Sequence, residues 1–238
     1  MHDIKILSTP PEQSFPFEWY EFAEENHFWF QWRFHILGQQ LQTLNISKEE
    51  HLKALEIGCG NSVLCWQIEH YTRWTVDGAD ISREALLLGK TRRGQNLLYN
   101  IHDRHQTLRE AYDVVILFDV IEHIQNTTLF LESVLHHLKP SGWLLINVPA
   151  LPLLFSRYDQ AASHFRRYNK KMIGRMLSSD VLEIKDIRYW GFSLIPLVLL
   201  RKLLVFNNAS PKAVIRRGFQ VPSEWINTWL VKVMHLET

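Results

Sequence analysis

Residues 54–62 have the sequence Ala-Leu-Glu-Ile-Gly-Cys-Gly-Asn-Ser, which predicts a short buried strand, a glycine-rich turn and the start of a helix. Gly58 and Gly60 allow the backbone to approach a bound nucleotide where a Cβ would collide. This order of elements is typical of α/β proteins that hold a nucleotide-containing cofactor at the end of a strand. It constrains the fold more than any other feature of the chain.

A second predicted strand ends in Asp80, which follows Gly60 by twenty positions. A carboxylate at this distance can accept hydrogen bonds from both hydroxyls of a ribose. The dinucleotide pattern G-x-G-x-x-G is absent, because no third glycine follows Gly60 at the required place. Glu56 is ill suited to a pyrophosphate but suits a ligand that carries an ammonium group.

Residues 56–62 resemble the first motif of the class I S-adenosylmethionine-dependent methyltransferases, (D/E)-x-G-x-G-x-G, with Ser62 in place of the last glycine. The resemblance covers about residues 28–190 and is also strong at 74–82 and 112–124. It implies an α/β fold, a Rossmann-like three-layer sandwich with a mostly parallel central sheet, and S-adenosylmethionine as the cofactor. The cofactor-binding residues that it implies are Glu56, Gly58, Cys59, Gly60, Asp80, Ile81, Asp103, Asp119 and Val120.

The third strand is predicted at 96–103 and the fourth at 113–118, and the ends of these two strands supply the last members of that set. The end of the third strand would bring Asn100 or Asp103 to the adenine amino group, and we favour Asp103. Asp119 follows the apolar run 114–118 and is expected at the carboxyl end of the fourth strand. Ligands of such sheets bind at these strand ends.

The fifth strand is predicted at 143–148, and the segment that follows it is the candidate acceptor site. Asp159, His164, Arg166 and Tyr168 form a D-x(4)-H-x-R-R-Y pattern, which resembles methyltransferases of quinone precursors and of saccharide or lipid-linked glycan pathways. We predict that His164 or His123 is the catalytic base, because a neutral imidazole accepts protons near neutral pH. Alternatively, the arginines pair with carboxylates and His164 caps the next helix.

A metal site is a further alternative. Asp119, Glu122 and His123 form an Asp-x-x-Glu-His pattern, which resembles the Glu-x-x-Glu-His sequence of ubiquinone-pathway O-methyltransferases that can bind a divalent metal. We assign no metal ligand, because adjacent residues such as 122 and 123 more often cap or orient the following helix.

The segment before the core is rich in aromatic residues, with ten of them in the twenty positions 15–34. We predict a helical cap over the cofactor pocket, with Trp29 and Arg33 facing an acceptor. Simple packing of the aromatic side chains against the sheet is the alternative.

Composition restricts the partners and the compartment. The chain has 238 residues and a net charge of only +1, which argues against a nucleic-acid partner. Cys59 and Cys65 have neither metal-site spacing nor the pattern of a disulfide framework, so we expect a reducing compartment. No signal peptide is visible, and we expect a cytoplasmic protein. No sequence feature determines an oligomeric state.

We divide the chain into an aromatic-rich helical cap at 1–50, a cofactor-binding core at 51–190 and a C-terminal helical extension at 191–238. The apolar run 190–206 is interrupted by Pro196 and by two cations, so it does not predict a transmembrane helix. It predicts either a buried roof over the acceptor or a peripheral membrane contact that reaches lipid-borne acceptors. The C-terminal strand pair is incomplete unless 213–221 supplies a strand.

The sequence thus predicts an enzyme that methylates the oxygen of a small molecule, a quinone precursor or a lipid-linked saccharide. A noncatalytic binding or scaffold subunit with the same fold is the alternative. Methylation of nucleic acid or protein is disfavoured, because Phe118-Asp119-Val120-Ile121 stands where an Asn-Pro-Pro-Tyr signature would be expected.

Overall fold

The computed structural model describes residues 4–9, 25–90, 92–178, 180–204, 214 and 223–237. Its centre is a six-stranded sheet in which every strand pair is parallel. The strands are β1 (Ile4–Ile6), β2 (Lys53–Ile57), β3 (Thr75–Asp80), β4 (Asn96–Leu98), β5 (Tyr112–Phe118) and β6 (Leu138–Asn147). The Rossmann-like fold class predicted from the sequence is confirmed.

The strand order is β1-β4-β3-β2-β5-β6. From β2 the chain builds outward through β3 and β4, and it then returns to place β5 and β6 on the other side of β2. The direction of winding therefore reverses between β2 and β5. Ligands of open α/β sheets bind in the crevice beyond the carboxyl ends of the strands at such a reversal.

Helices cover both faces of the sheet. The α-helices are α1 (Phe28–Thr43), α2 (Val63–Tyr71), α3 (Arg83–Leu87), α4 (Thr127–Leu135), α5 (Arg157–Ala161), α6 (Lys170–Leu177), α7 (Ile195–Leu204) and α8 (Glu224–Glu237). Short 3-10 helices form at Ile101–Asp103, Gln106–Leu108, Ile121–His123, Pro152–Leu154 and Phe192–Leu194.

The alternating side chains of β5 explain the two helical layers. Val114 and Ile116 pack with buried residues of α1, α2 and α3, whereas Val115 and Leu117 pack with those of α4 and α6. Because successive side chains of a strand point to opposite faces, a strand that is apolar throughout is buried on both sides. The core is therefore divided by the sheet into two apolar layers.

Several boundaries differ from the sequence prediction. Residues 4–6 form β1, an edge strand paired with β4, inside the segment assigned to a helical cap. The fifth predicted strand, expected at 143–148, begins earlier: β6 starts at Leu138 and continues through Pro140 and Gly142 with a bulge opposite Tyr112 and Val114. The aromatic residues at 15–22 lie outside the described residues, as does 213–221 apart from Val214.

The apolar run 190–206 divides into Phe192–Leu194 and α7, and its last two residues lie outside the described part of the chain. None of the helices formed by described residues has the length and apolar character needed to span a bilayer.

Candidate active site

The glycine turn after β2 has the backbone that its sequence predicts. Gly58 and Gly60 have φ values of 72° and 53°. A Cβ on Gly58 would come within 2.7 Å of Cγ2 of Val120. The amide of Gly58 donates to the carbonyl of Ala79 at 2.8 Å, which fastens the turn to the end of β3. A side chain larger than that of glycine at position 58 would therefore clash with Val120.

Asp80 closes this turn. One carboxylate oxygen accepts from the amide of Gly60 and the other from the amide of Ser82, both at 2.8 Å. Burial raises the pKa of Asp80, while these backbone hydrogen bonds oppose the shift. The side chain borders the cavity at the carboxyl ends of β2 and β3. Asp80 thus shapes the turn and presents a carboxylate to a ligand in the same cavity.

Glu56 is a buried acid beneath the turn. Its Oε2 accepts from the amide of Cys65 at 3.1 Å and from the thiol of the same residue at 2.9 Å. Burial raises the pKa of Glu56 to about 7, although nearby Arg33 and the bonds from Cys65 oppose the shift. A bound cation would favour the ionised form, so this acid suits a positively charged ligand.

Asn100 and Asp103 occupy different environments beyond β4. Asn100 borders the cavity and accepts the amide hydrogen of His102 at 3.1 Å. Asp103 is exposed and does not border the cavity. The chain turns into a 3-10 helix directly after Asn100, and this turn carries Asp103 to the surface. Of the two residues, Asn100 is therefore the one placed to contact a ligand in the cavity.

The other predicted cofactor residues, Cys59, Ile81, Asp119 and Val120, all border the same cavity. The cavity has a volume of about 2070 Å³ and continues along β6 as far as Leu138. The predicted cofactor residues therefore line one end of a long groove.

His123 and His164 meet at the wall of this cavity, with ring centroids 4.7 Å apart. Burial, and next the neighbouring His164, lower the pKa of His123 to about 4, so this ring is neutral at neutral pH. Nδ1 of His164 lies 3.2 Å from Oδ1 of Asp159. A hydrogen on Nδ1 leaves Nε2 of His164 as the basic nitrogen.

Asp159 positions His164 without itself bordering the cavity. It is fully buried and accepts from Nε of Arg167 at 2.7 Å and from the amide of Ser156 at 2.8 Å. Burial alone would raise its pKa, but the hydrogen bond with His164 and the charge of Arg167 outweigh burial and lower the pKa to about 2. Asp159 is therefore a carboxylate that orients His164.

Glu122 adds an acid to the histidine pair. Its side chain is fully buried, and neither carboxylate oxygen has a hydrogen-bond partner among the described residues. Burial, and next the charge of Asp119, raise the pKa of Glu122 well above its usual range. One ligand atom each from Glu122, His123 and His164 lies within 4.8 Å of the others. These three residues could hold a divalent cation.

Asp119, the first residue of the sequence pattern for a metal, is not part of this cluster. Its Oδ2 accepts from Nη1 of Arg33 at 2.9 Å, and its Oδ1 accepts from Nδ2 of Asn147 at 2.7 Å. The segment after α5 instead contributes His164, which no local sequence pattern connects to residues 122 and 123.

The comparisons with known proteins agree with this geometry. A family model described as a methyltransferase domain matches residues 29–193, more than half of the chain. The chain belongs to this methyltransferase family. The class I resemblance of the sequence is therefore confirmed, and S-adenosylmethionine is the cofactor of the domain.

Individual relatives match less of the methyltransferase chain. Ubiquinone biosynthesis O-methyltransferase of Bartonella tribocorum is 30% identical over 103 residues, which is 41% of each chain. The chain thus spans less than half the length of this curated relative. YcgJ protein of Bacillus subtilis superposes with a TM-score of 0.57 at 16% identity, covering 84% of this chain and 82% of that one.

Phosphoethanolamine N-methyltransferase 2 of Haemonchus contortus superposes with a TM-score of 0.56 at 16% identity, covering 95% of this chain and 58% of that one. At these identities the two solved structures show a shared fold.

The remaining predicted acceptor residues of the methyltransferase are held by protein contacts. Arg166 donates to the carbonyl of Gln125 at 3.1 Å and does not border the cavity, and neither does Asp159. Tyr168 borders the cavity, but its hydroxyl donates to the carbonyl of Ile121 at 3.0 Å. Within the pattern D-x(4)-H-x-R-R-Y, Asp159 thus contacts His164, whereas Arg166 and Tyr168 fasten the segment to the chain at Gln125 and Ile121.

Trp29 and Arg33 of α1 both border the cavity of the methyltransferase. Trp29 packs on Trp190, with ring centroids 5.0 Å apart. Sequence reasoning missed Trp190 and Asn147. The polar Asn147 at the end of an apolar strand was the available signal, whereas nothing local marks Trp190.

Proposed function

We propose that this methyltransferase transfers a methyl group to a hydroxyl oxygen of a small acceptor, with His164 as the general base. The observation that carries the proposal is the histidine pair at the wall of the cofactor cavity, in which buried Asp159 orients His164. When bound, S-adenosylmethionine supplies an electrophilic methyl group on a sulfonium.

The roles of the cofactor residues follow from their chemistry. Asp80 accepts hydrogen bonds from the ribose, Glu56 attracts the ammonium group, and Asn100 lies on the adenine side. Gly58 and Gly60 keep the turn open for the cofactor. These residues bind and orient, which is the main contribution a protein makes to an in-line displacement.

On the acceptor side, Nε2 of His164 takes the hydroxyl proton as the new oxygen–carbon bond forms. Asp159 stabilises the imidazolium that results, as a buried carboxylate does when it is hydrogen-bonded to a catalytic histidine. His123 stays neutral because of its lowered pKa, and therefore adds no competing positive charge.

Glu122, His123 and His164 also fit a divalent cation, since their three ligand atoms converge and the carboxylate has no other partner among the described residues. Such an ion would supply Lewis-acid polarisation of an acceptor oxygen. Activity measured after treatment with a chelator, and again after adding Mg²⁺ or Zn²⁺, separates this possibility from unaided base catalysis.

We infer that the acceptor carries an apolar portion, as a quinone precursor or a lipid-linked saccharide does. Leu194, Ile195, Leu197 and Val198 line one side of the cavity, and Leu200 continues this apolar surface outward. The relatives named for ubiquinone biosynthesis favour a hydroxylated aromatic ring. The exposed leucines of α7 and the exposed cation Lys202 support peripheral membrane contact through 190–206.

The test uses two probes, a prenylated dihydroxybenzene and the same ring without the prenyl chain. Each is incubated with the full chain and S-adenosylmethionine, and mass spectrometry detects the methyl ether. Methylation of both, with a lower KM for the prenylated ring, supports the proposal. Tight binding of S-adenosylhomocysteine without methylation of either ring would favour the noncatalytic subunit.

A further inference from the structure

A continuous row of hydrogen bonds connects the cap, the sheet and the segment before α7. Arg33 in α1 donates to Asp119 at 2.9 Å, Asn147 at the end of β6 donates to Asp119 at 2.7 Å, and Nε1 of Trp190 donates to Oδ1 of Asn147 at 2.9 Å. We call these four residues the Asp119 network. They are far apart in the sequence and meet above the carboxyl ends of β5 and β6.

The donors and acceptors of the Asp119 network allow only one orientation of the Asn147 amide. Arg33 and Trp190 can only donate, and an ionised Asp119 can only accept. The amide must therefore turn its NH₂ group to Asp119 and its oxygen to Trp190. The reverse orientation would set the amide oxygen against a carboxylate oxygen. The indole of Trp190 and the carboxylate of Asp119 thus hold the amide between them from opposite sides.

Asp119 in turn determines the wall of the cofactor pocket. Its φ of 59° lies in the left-handed region, which aspartate adopts more often than most residues but at a cost relative to the right-handed region. The hydrogen bonds of its side chain to Arg33 and Asn147 help to hold it there. Asn147 supplies a second restraint, because its carbonyl accepts from the amide of Asp119 at 3.0 Å. The next residue, Val120, is the side chain that meets the open space at Gly58. A displacement of Asp119 would move Val120 against the glycine turn.

The other end of the network lies among aromatic rings. Trp190 packs on Trp29 at 5.0 Å and on Trp32 at 6.2 Å between ring centroids. Trp190 also borders the cavity close to the apolar segment assigned to the acceptor. Any contact that moves this indole is therefore transmitted to the amide of Asn147.

We propose that Asn147 and Trp190 are positioning residues that connect the acceptor side of the cavity to cofactor binding. The indole fixes the amide, the amide holds Asp119 and its backbone, and Asp119 places Val120 against the cofactor. The inference rests on the proposed function, because its readout is affinity for S-adenosylhomocysteine.

The test is a double-mutant cycle measured by calorimetric titration with S-adenosylhomocysteine. Trp190→Phe keeps most of the ring packing and removes the N–H donor. We expect it to weaken binding about fivefold, the effect of losing one neutral hydrogen bond. In the background of Asn147→Ala, where the indole has no amide to fix, Trp190→Phe should have no further effect. Melting temperatures should show that every variant is folded.

Trp225→Phe is the matched control, because this tryptophan is 73% exposed and does not border the cavity. If Asn147→Ala does not fold, Asn147→Ser completes the same cycle. Unchanged affinity in Trp190→Phe would overturn the inference, and so would an equal loss in both backgrounds, which would indicate ring packing alone. A wild-type chain that does not bind S-adenosylhomocysteine would instead refute the cofactor site itself.

Discussion

The cofactor side and the acceptor side of the cavity are built in different ways. On the cofactor side, backbone amides hold both acids: Asp80 accepts from Gly60 in the turn after β2 and from Ser82 directly after β3, and Glu56 accepts from Cys65 in α2. On the acceptor side, His164, Asp159 and Arg167 hold one another by side-chain contacts. The cofactor half therefore depends on backbone amides at the ends of two neighbouring strands, whereas the acceptor half depends on contacts among side chains of one segment, 159–167.

In the cofactor half, Gly58→Ala is the substitution that we expect to weaken cofactor binding most. The added Cβ would meet Val120 at 2.7 Å, in a backbone with a φ of 72°. We expect affinity for S-adenosylhomocysteine to fall by about 100-fold or more, because clash and strain act together. Calorimetric titration measures the loss.

Gly174→Ala is the control for this substitution, since a Cβ there meets nothing within 4 Å. It should retain full affinity and gain about 0.5–1 kcal/mol of stability, because alanine favours the helix. Wild-type affinity in Gly58→Ala would show that the turn does not contact the cofactor.

A substitution in the acceptor half should lower turnover without weakening cofactor binding. In His164→Gln we expect turnover to fall by about 100-fold, because the general base is removed, while S-adenosylhomocysteine binds as in the wild type. Steady-state kinetics with the dihydroxybenzene probe checks the first part and titration the second. His51→Gln, an exposed histidine remote from the cavity, should leave both unchanged. Full activity of His164→Gln would return His164 to a structural role.

A pH titration of cofactor affinity tests the cofactor half separately from the acceptor half. The pKa of Glu56 on the cofactor side is raised, whereas the pKa of Asp159 on the acceptor side is lowered. The pKa of Glu56 is raised to about 7, so ionisation improves the site for an ammonium group as the pH rises. We expect roughly tenfold tighter binding at pH 7.5 than at pH 6 from this single ionisation. Glu56→Gln should remove the dependence. A wild-type profile that is flat over this range would contradict an ammonium contact at Glu56.

The ionisation of Glu56 also changes the stability of the fold. It strengthens binding of the cofactor but lowers the free energy of unfolding. Because the folded pKa of Glu56 lies above its ordinary value of 4.5, the folded protein binds more protons than the unfolded chain between these two values. This contribution to the free energy of unfolding is therefore complete below about pH 4.5 and is lost as the pH rises through about 7.

The smallest expected effect concerns the outer rim of the acceptor half. Leu197 and Leu200 are 48% and 50% exposed on α7. Replacing both with Ser should lower binding to vesicles of phosphatidylglycerol by about threefold to tenfold, because less apolar surface enters the interface. Vesicle flotation measures the bound fraction. The control is Leu87→Ser on α3, and equal losses in both variants would argue against a membrane contact at α7.

The two halves also differ in how far the sequence predicted them. Gly58, Gly60 and Asp80 follow fixed spacings within one strand-turn-helix unit and its neighbour, and the structure brings them to one cavity. The choice between Asn100 and Asp103 could not be made from the sequence, because a single 3-10 turn decides which side chain faces the cavity. On the acceptor side, the pattern at 159–168 was visible, but the partners of its members were not.

The amino-acid sequence alone determined the parallel α/β fold and the glycine turn, because strand burial and turn conformation depend on neighbouring residues. The tertiary structure decided that Asp119 binds Arg33 and Asn147, and that His164 joins Glu122 and His123. Such pairs are separated by tens of residues, so only the packing of the sheet and its helices brings them together. Trp190 is the clearest case, since no neighbouring residue indicates its contact with Asn147.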